Sequence, residues 1–299
     1  MNEAFEGSPF RLENKAAYQR WREQKLSGYP KTLEALLVEV DDPVALTPHE
    51  RQGLIERVTK CNMALFRLSG THIERGEEGM LALMAQLGCR RVDHNLGARG
   101  GFSSLTPGGE ADQRLAGYIP YTPRAIGWHT DGYYNASGRQ IHALALYCER
   151  PALQGGENRL WDHELAYMRL RDENPDMVRA LMAPDVMTIP PRMEGEQIAR
   201  AERVGPVFSI DPQDGHLHMR YTHRTISIAW KQDPISLEAV SALRGLFDEP
   251  GPFIFEGRLE AGWGLVSNNV LHTRGAFQDD GGESGGRRMF RARFYDRVA

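Results

Sequence analysis

Cysteine is scarce in this sequence. Cys61, Cys89 and Cys148 are widely spaced and odd in number, which argues against a disulfide framework and against a thiolate zinc site. Long apolar runs are missing as well. No stretch of about 18 apolar residues occurs, so no segment is expected to span a bilayer. The opening MNEAFEGSPFRLENK has no apolar core of signal-peptide length, and the expected compartment is the cytoplasm. Nor does one sign of charge dominate. With 36 Lys and Arg against 40 Asp and Glu, the formal net charge is -4. Without a basic stripe or a polybasic helix, neither nucleic acid nor a membrane surface is an expected partner. Internal repeats and low-complexity linkers are absent too. What is present is an ordinary globular composition, 41% hydrophobic and 25% charged. The 299 residues are enough to bury roughly three quarters of the unfolded surface without covalent staples.

The first quarter has helical character. Asn14 to Lys25 is polar with aromatic insertions at Tyr18 and Trp21. Thr47-Pro48-His49-Glu50 is a helix start, with Thr47 as N-cap, Pro48 at the first helical position and Glu50 closing a capping box. That helix is expected to run to about Lys60. Met63 to Leu68 reads as a buried strand, and Glu77 to Leu87 as a helix stopped by Gly88. From about Val92 short apolar runs alternate with Gly, Pro and Asn clusters, the mark of strands and turns. Expected strands are Ile141 to Cys148, Val186 to Ile189, His216 to Tyr221, Phe253 to Phe255, Gly264 to Ser267 and Arg288 to Tyr295. Two helices are expected among them, near Glu164 to Arg171 and Ser236 to Phe247. Gly-rich Asp279 to Gly286 reads as a mobile loop. The pattern suggests one domain over residues 1–299 with a helical segment about 1–60. Its expected class is mainly β, a mostly antiparallel barrel or jelly roll with peripheral helices.

Trp128-His129-Thr130-Asp131 follows a turn-like stretch, YTPRAIG. In an extended segment residues i and i+2 point to the same side, so His129 and Asp131 would aim an imidazole and a carboxylate at one point. His272, in Asn268-Asn269-Val270-Leu271-His272 after the apolar GLVS, is the candidate third ligand. Two imidazoles and a carboxylate on one face of a metal leave positions open, an arrangement that suits iron(II) in oxygenases. The plain alternative is that HxD is common and a lone His is more often a hydrogen-bonded structural residue.

Arg287-Arg288-Met289-Phe290-Arg291-Ala292-Arg293 comes fifteen residues after His272. As a strand it places Arg287, Met289, Arg291 and Arg293 on one face and Arg288, Phe290, Ala292 and Phe294 on the other. Arginines on an inward face are costly unless they meet anions, and a guanidinium fork matches a carboxylate bidentately. A solvated edge strand is the competing reading.

Together these residues resemble the taurine dioxygenase superfamily of iron(II)/2-oxoglutarate oxygenases, which includes the γ-butyrobetaine hydroxylases. The matching pieces are WHTDGYY (Trp128 to Tyr134), GGENRLWD (Gly155 to Asp162), NNVLHTRGAF (Asn268 to Phe277) and RRMFR (Arg287 to Arg291), in the family's order. ALFRLSG, from Ala64 to Gly70, resembles the family's early core strand. The resemblance implies a double-stranded β-helix, the cupin-like jelly roll, with His129, Asp131 and His272 as iron ligands. It implies Fe(II), 2-oxoglutarate and O2 as cofactor and cosubstrates, with hydroxylation of an unactivated C–H and release of succinate and CO2. It makes Arg287 the partner of the distal carboxylate of 2-oxoglutarate, with Arg291 on the same strand face as the alternative. Asn158 stands where the family's GGxT motif has a threonine that helps bind 2-oxoglutarate; an amide also donates a hydrogen bond, with a different reach. The segment before residue 60 matches nothing in the family.

The substrate is expected to be a small polar or anionic molecule. Tyr133, Tyr134 and Asn135 flank the metal motif, RYTHRT adds Tyr221, His223 and Arg224, and Arg291 and Arg293 are further cations. Aromatic walls with a cationic contact suit a carboxylate, sulfonate or similar anion; the competing reading makes these aromatics core and these arginines surface. A non-catalytic binding or sensor protein on the same barrel is the rival function, separated from the enzyme by iron-dependent succinate release. Halogenases of this kind resemble the hydroxylases but lack the carboxylate ligand, and Asp131 is present. Gly282-Glu283-Ser284-Gly285-Gly286 fits G-x-S-x-G but lacks the strand before it and the helix after it that a hydrolase elbow needs. His216 and His218 have no carboxylate placed to join them and read as ordinary polar residues. Whether the chain forms a homo-oligomer is open at this level.

Overall fold

A computed structural model describes residues 7–69, 76–94, 98–109, 115–212, 214–224, 228–248, 251–279 and 286–299. The chain folds into two compact units, each assembled from three segments: 1–29, 128–140 and 162–252 in one, and 30–127, 141–161 and 253–299 in the other. Helices and strands are mixed throughout.

The second of these units holds the larger sheets. One has six strands in the order Leu37–Val40, Met63–Leu68, Trp263–Ser267, Ala143–Arg150, Arg288–Phe294 and Ser103–Leu105. The first pair is parallel and the rest antiparallel. Alternation along Arg288–Phe294 sets its faces. Phe290, Ala292 and Phe294 join Phe66, Tyr147 and Val266 in the core, where Tyr147 stacks between Phe66 and Phe290 at centroid distances of 6.3 and 6.5 Å. Helices Pro48–Cys61 and Gly76–Gln86 cover this face through Leu54, Val58, Met80, Leu83 and Met84. The capping box is formed as expected: the Glu50 backbone N–H donates to the Thr47 hydroxyl and the Thr47 N–H donates to the Glu50 carboxylate. Close strand contact requires glycine at 264, because a Cβ there would lie 2.1 Å from Phe66 and 2.7 Å from the Leu146 carbonyl. The other large sheet has the order Ile254–Gly257, Asn158–Trp161, Leu271–Arg274 and Ile126–His129, the last strand starting in this unit.

In the first unit helices Lys15–Leu26, His163–Glu173, Pro175–Leu181 and Pro234–Asp248 accompany short antiparallel strands. The polar helix expected from residue 14 is anchored by its buried cation. Lys25 lies 2.6 Å from Asp162 and 2.5 Å from Glu164, and these carboxylates raise its pKa although burial opposes the charge. Arg171 stacks 3.8 Å from the Tyr18 ring and donates to the carbonyls of Pro9, Arg11 and Leu12.

Every strand and helix expected from periodicity has a counterpart, shifted by at most two or three residues at its ends. Helix Pro175–Leu181 was not among them, though its Asn174-Pro175 start is a recognisable cap. Strands Asn158–Trp161 and Leu271–Arg274 were also missed as strands. Their buried Asn, His and Arg break the apolar pattern that marks a core strand. The expected loop Asp279 to Gly286, and the G-x-S-x-G stretch in it, lies largely outside the described residues.

Candidate metal centre

Trp128, His129 and Thr130 are held by residues 221–223 of their own unit. The Thr130 N–H donates to the Tyr221 carbonyl at 3.0 Å, the Tyr221 N–H to the Thr130 hydroxyl at 3.1 Å, and the His223 N–H to the Trp128 carbonyl at 2.8 Å. His129 forms a bridge with Thr222. Trp128 stacks on Phe247 at 5.6 Å, and Tyr221, fully buried, packs on the same ring at 5.1 Å. The motif therefore sits on a rigid aromatic support. Past Asp131 the chain turns at Gly132, whose φ is 69°, and the Asn135 N–H closes the turn on the Gly132 carbonyl. His129 Nε2 is 3.6 Å from Asp131 Oδ1, as the i and i+2 spacing requires.

His272 lies on strand Leu271–Arg274, after Asn269 in a left-handed conformation with φ of 52°. The Asn269 amide donates to the Ile141 carbonyl at 2.8 Å, fixing the entry to the strand. His272 Nδ1 is 3.0 Å from the Val270 carbonyl. A carbonyl only accepts, so Nδ1 carries the proton and Nε2 keeps its lone pair for a ligand. His129, Asp131 and His272 each offer one donor atom, and these three atoms lie within 4.8 Å of one another. Two imidazole nitrogens and one buried carboxylate fit a divalent first-row metal, and iron(II) with open positions in particular.

The GGEN and HTRGAF motifs are zipped together antiparallel. Asn158 pairs with Arg274 and Leu160 with His272, and Gly155 pairs with Phe277. Gly155, with φ of 76°, must be glycine, since a Cβ would meet the Ala276 carbonyl at 2.2 Å. The Asn158 amide donates to the Thr273 carbonyl at 3.0 Å. Arg287 is buried, and burial pushes its pKa down. Among the described residues no carboxylate forms an ion pair with its guanidinium; Asp279 accepts only from its backbone N–H. Arg287 and Asn158 line one cavity with Gly155, Gly156, Arg258 and Met289. Arg274, to which no local pattern assigns a role, is buried too, its pKa pushed down to about 10 by burial and by Arg287. Its two terminal nitrogens are taken up internally, donating to the carbonyls of Ile119, Pro120, Thr122 and Arg124, while its buried Nε has no acceptor. Arg293 is committed as well, forming a buried ion pair with Asp93, which also accepts from the Tyr295 hydroxyl. That pair accounts for Arg293 without a substrate. Arg291 is half-buried, Arg224 exposed, and Tyr133, Tyr134 and Asn135 half-buried.

Comparison with known proteins follows the same lines. The family model "Taurine catabolism dioxygenase TauD, TfdA family" matches residues 25–293, so the match begins well before residue 60, contrary to the expectation that this segment has no counterpart in the family. Two proteins named uridine-5'-phosphate dioxygenase, from Amycolatopsis sp and Streptomyces sp, are each 31% identical over 157 and 166 residues. The matches cover 51% and 54% of this chain, and the chain spans just over half the length of these relatives, 55% and 58%. Among solved structures, a taurine dioxygenase from Burkholderia xenovorans aligns with a TM-score of 0.56 at 20% identity, covering 89% of each chain. An asparagine oxygenase in complex with Fe(II), 2S,3S-3-hydroxyasparagine and succinate aligns with a TM-score of 0.56 at 15% identity, covering 82% of this chain and 78% of that one. The chain shares their fold.

Proposed function

Because this chain belongs to the taurine catabolism dioxygenase TauD, TfdA family, we propose that it is an iron(II)- and 2-oxoglutarate-dependent dioxygenase hydroxylating a small polar or anionic substrate. The proposal includes the double-stranded β-helix arrangement of its sheets and cytoplasmic action without nucleic-acid or membrane partners. The observation that carries it is the cluster of His129, Asp131 and His272, with His272 presented in the ligating tautomer. Iron(II), once bound there with 2-oxoglutarate and O2, supplies oxidation of a C–H bond coupled to decarboxylation to succinate and CO2.

The chain's own residues do the rest. Asp131 contributes the one anionic ligand, which lowers the net charge of the centre. Arg287 meets the distal carboxylate of 2-oxoglutarate, as its buried guanidinium, with no ion-pair partner among the described residues, favours. Asn158, already donating to Thr273, keeps its second amide hydrogen for that carboxylate. Trp128 and Phe247 hold the metal motif rigid. Tyr133, Tyr134, Asn135, Arg224 and Arg291 are the proposed substrate contacts, with Tyr221 supporting them from the core through its bond to His223. The names of the relatives, uridine-5'-phosphate dioxygenase and taurine dioxygenase, fit a small anionic substrate.

The test pairs metal analysis with succinate release. Wild-type protein should bind one iron(II) per chain and turn over 2-oxoglutarate with at least one member of a panel of phosphates, sulfonates and carboxylates. His129→Ala, Asp131→Ala and His272→Ala should lose both. Full iron binding and activity in either histidine variant would show that the ligand assignment is wrong. Preferential turnover of uncharged amides or peptides would remove the substrate class.

A further inference from the structure

Strands Arg192–Glu194 and Gln197–Arg200 form a hairpin turning at Gly195, whose φ is 61°. Its register sets Arg192 directly opposite Arg200. Like charges opposed across a ladder destabilise it, and the hairpin register therefore concentrates positive charge at this end of the strands. A third arginine, Arg203, opens the next strand. Arg200 is partly withdrawn from water. Burial lowers its pKa, and Arg192 and Arg203 lower it further. One Arg200 nitrogen donates to the Pro190 carbonyl at 2.7 Å. The Nε atoms of Arg200 and Arg203 are buried with no acceptor, and among the described residues neither side chain forms an ion pair.

This cluster belongs to the same unit as the metal motif and adjoins it. The Arg200 guanidinium lies 5.5 Å from the Tyr134 ring, and Tyr134 packs edge-on to Tyr133 at 5.1 Å. Tyr133 is half-buried and hydrogen-bonds Thr222, with the charges of Arg224 and Arg200 acting on it. Both tyrosines follow Asp131 by two and three residues. Arg192 and Arg203 act on Arg200, and Arg200 and Arg224 on Tyr133, so more positive charge gathers beside these rings than one carboxylate can match. A phosphate monoester, with two negative charges and three terminal oxygens, matches that charge.

We propose that Arg200, flanked by Arg192, Arg203 and Arg224 and backed by Tyr133 and Tyr134, binds a phosphate group of the substrate. The inference rests on the oxygenase reading and narrows its small anion to a phosphate monoester. It also assigns recognition to the 192–203 region, a set distinct from Arg287 and Arg291.

The experiment is anaerobic calorimetric titration of the full chain, metal-free and loaded with iron(II) and 2-oxoglutarate. The probes are uridine 5′-phosphate, uridine, inorganic phosphate and the monoanion benzenesulfonate. Uridine 5′-phosphate should bind at least tenfold more tightly than uridine or benzenesulfonate, and more tightly than inorganic phosphate. Inorganic phosphate binding equally well would overturn the substrate assignment in favour of a free-phosphate site. Arg200→Gln should weaken the phosphate ester roughly tenfold to a hundredfold, leave uridine unchanged, and keep iron content and 2-oxoglutarate affinity. Arg200→Lys should recover only part of the loss, because an ammonium offers no fork. Arg203→Gln reports the same effect should Arg200→Gln fail to fold. A wild type that binds no phosphate, or an Arg200→Gln and Arg203→Gln pair that keep the full preference, would overturn the proposal. Failure of iron or 2-oxoglutarate to bind the wild type would count against the oxygenase reading instead, since the phosphate preference is also scored on metal-free protein.

Discussion

Arg287 makes a two-sided prediction. Its guanidinium is buried, its charge is disfavoured by burial, and among the described residues no carboxylate pairs with it. On the proposed assignment the distal carboxylate of 2-oxoglutarate supplies the ion pair that no described residue forms with Arg287. Removing one partner of a buried ion pair costs about 3–5 kcal/mol. At about 1.4 kcal/mol per tenfold, Arg287→Leu should weaken 2-oxoglutarate by roughly a hundredfold or more. The same variant should raise stability without ligand, because an apolar side chain replaces a desolvated charge. Melting curves with and without 2-oxoglutarate, at about 100 times the wild-type Kd, separate the two effects. Saturation at that level stabilises the wild type by about 2.7 kcal/mol, or roughly 5 °C at about 2 °C per kcal/mol. Arg287→Leu should melt higher than wild type without ligand and show almost no ligand-induced shift. A variant that melts lower without ligand yet keeps its shift would refute the reasoning. Loss of affinity in Arg291→Ala with normal affinity in Arg287→Leu would move the role to Arg291.

The tight crossing at Gly264 predicts that Gly264→Ala, which drives a Cβ into Phe66 and the Leu146 carbonyl, destabilises the fold by about 1–3 kcal/mol, read by denaturant titration. Acid stability should depend on Glu50 and Asp296. For each, burial pushes the pKa up but hydrogen bonds outweigh it, from the Asp41 and Thr47 N–H groups to Glu50 and from the Arg90 and Arg91 N–H groups to Asp296, leaving both pKa values lowered. A lowered folded pKa contributes stability that is complete above the unfolded value and lost as pH falls through the folded one. Stability should thus decline below about pH 4.5, and Glu50→Gln should flatten that decline while lowering stability at pH 7; an unchanged slope would remove Glu50 from the account.

Local sequence logic carried far in this chain. Thr47-Pro48-x-Glu50 specifies its own helix start because each group's partner lies within four residues. Met63 to Leu68 announces a buried strand because its apolar run is short and nearly continuous. The i and i+2 spacing of His129 and Asp131 directs both side chains to one side wherever the segment is extended. Alternation from Arg287 to Phe294 placed Phe290, Ala292 and Phe294 on one face, and these three lie in the core.

Other features had no local signature. That residues 221–223 clamp the metal motif is a contact between segments about ninety residues apart, and loop closure over such a distance leaves no periodicity to read. Nothing near Lys25 in the sequence marks it as buried; only the arrival of Asp162 and Glu164 makes it buried and paired. Arg287, Arg291 and Arg293 share one face in the sequence pattern. Tertiary structure divided them by what each meets: Asp93 holds Arg293, while no described carboxylate pairs with Arg287. The same holds for Arg192 and Arg200, brought face to face by a hairpin register. Sequence determined which side chains share a face, since that follows from backbone geometry within a few residues. Only the tertiary structure decided which buried charges already have partners, because a counterion can come from anywhere in the chain.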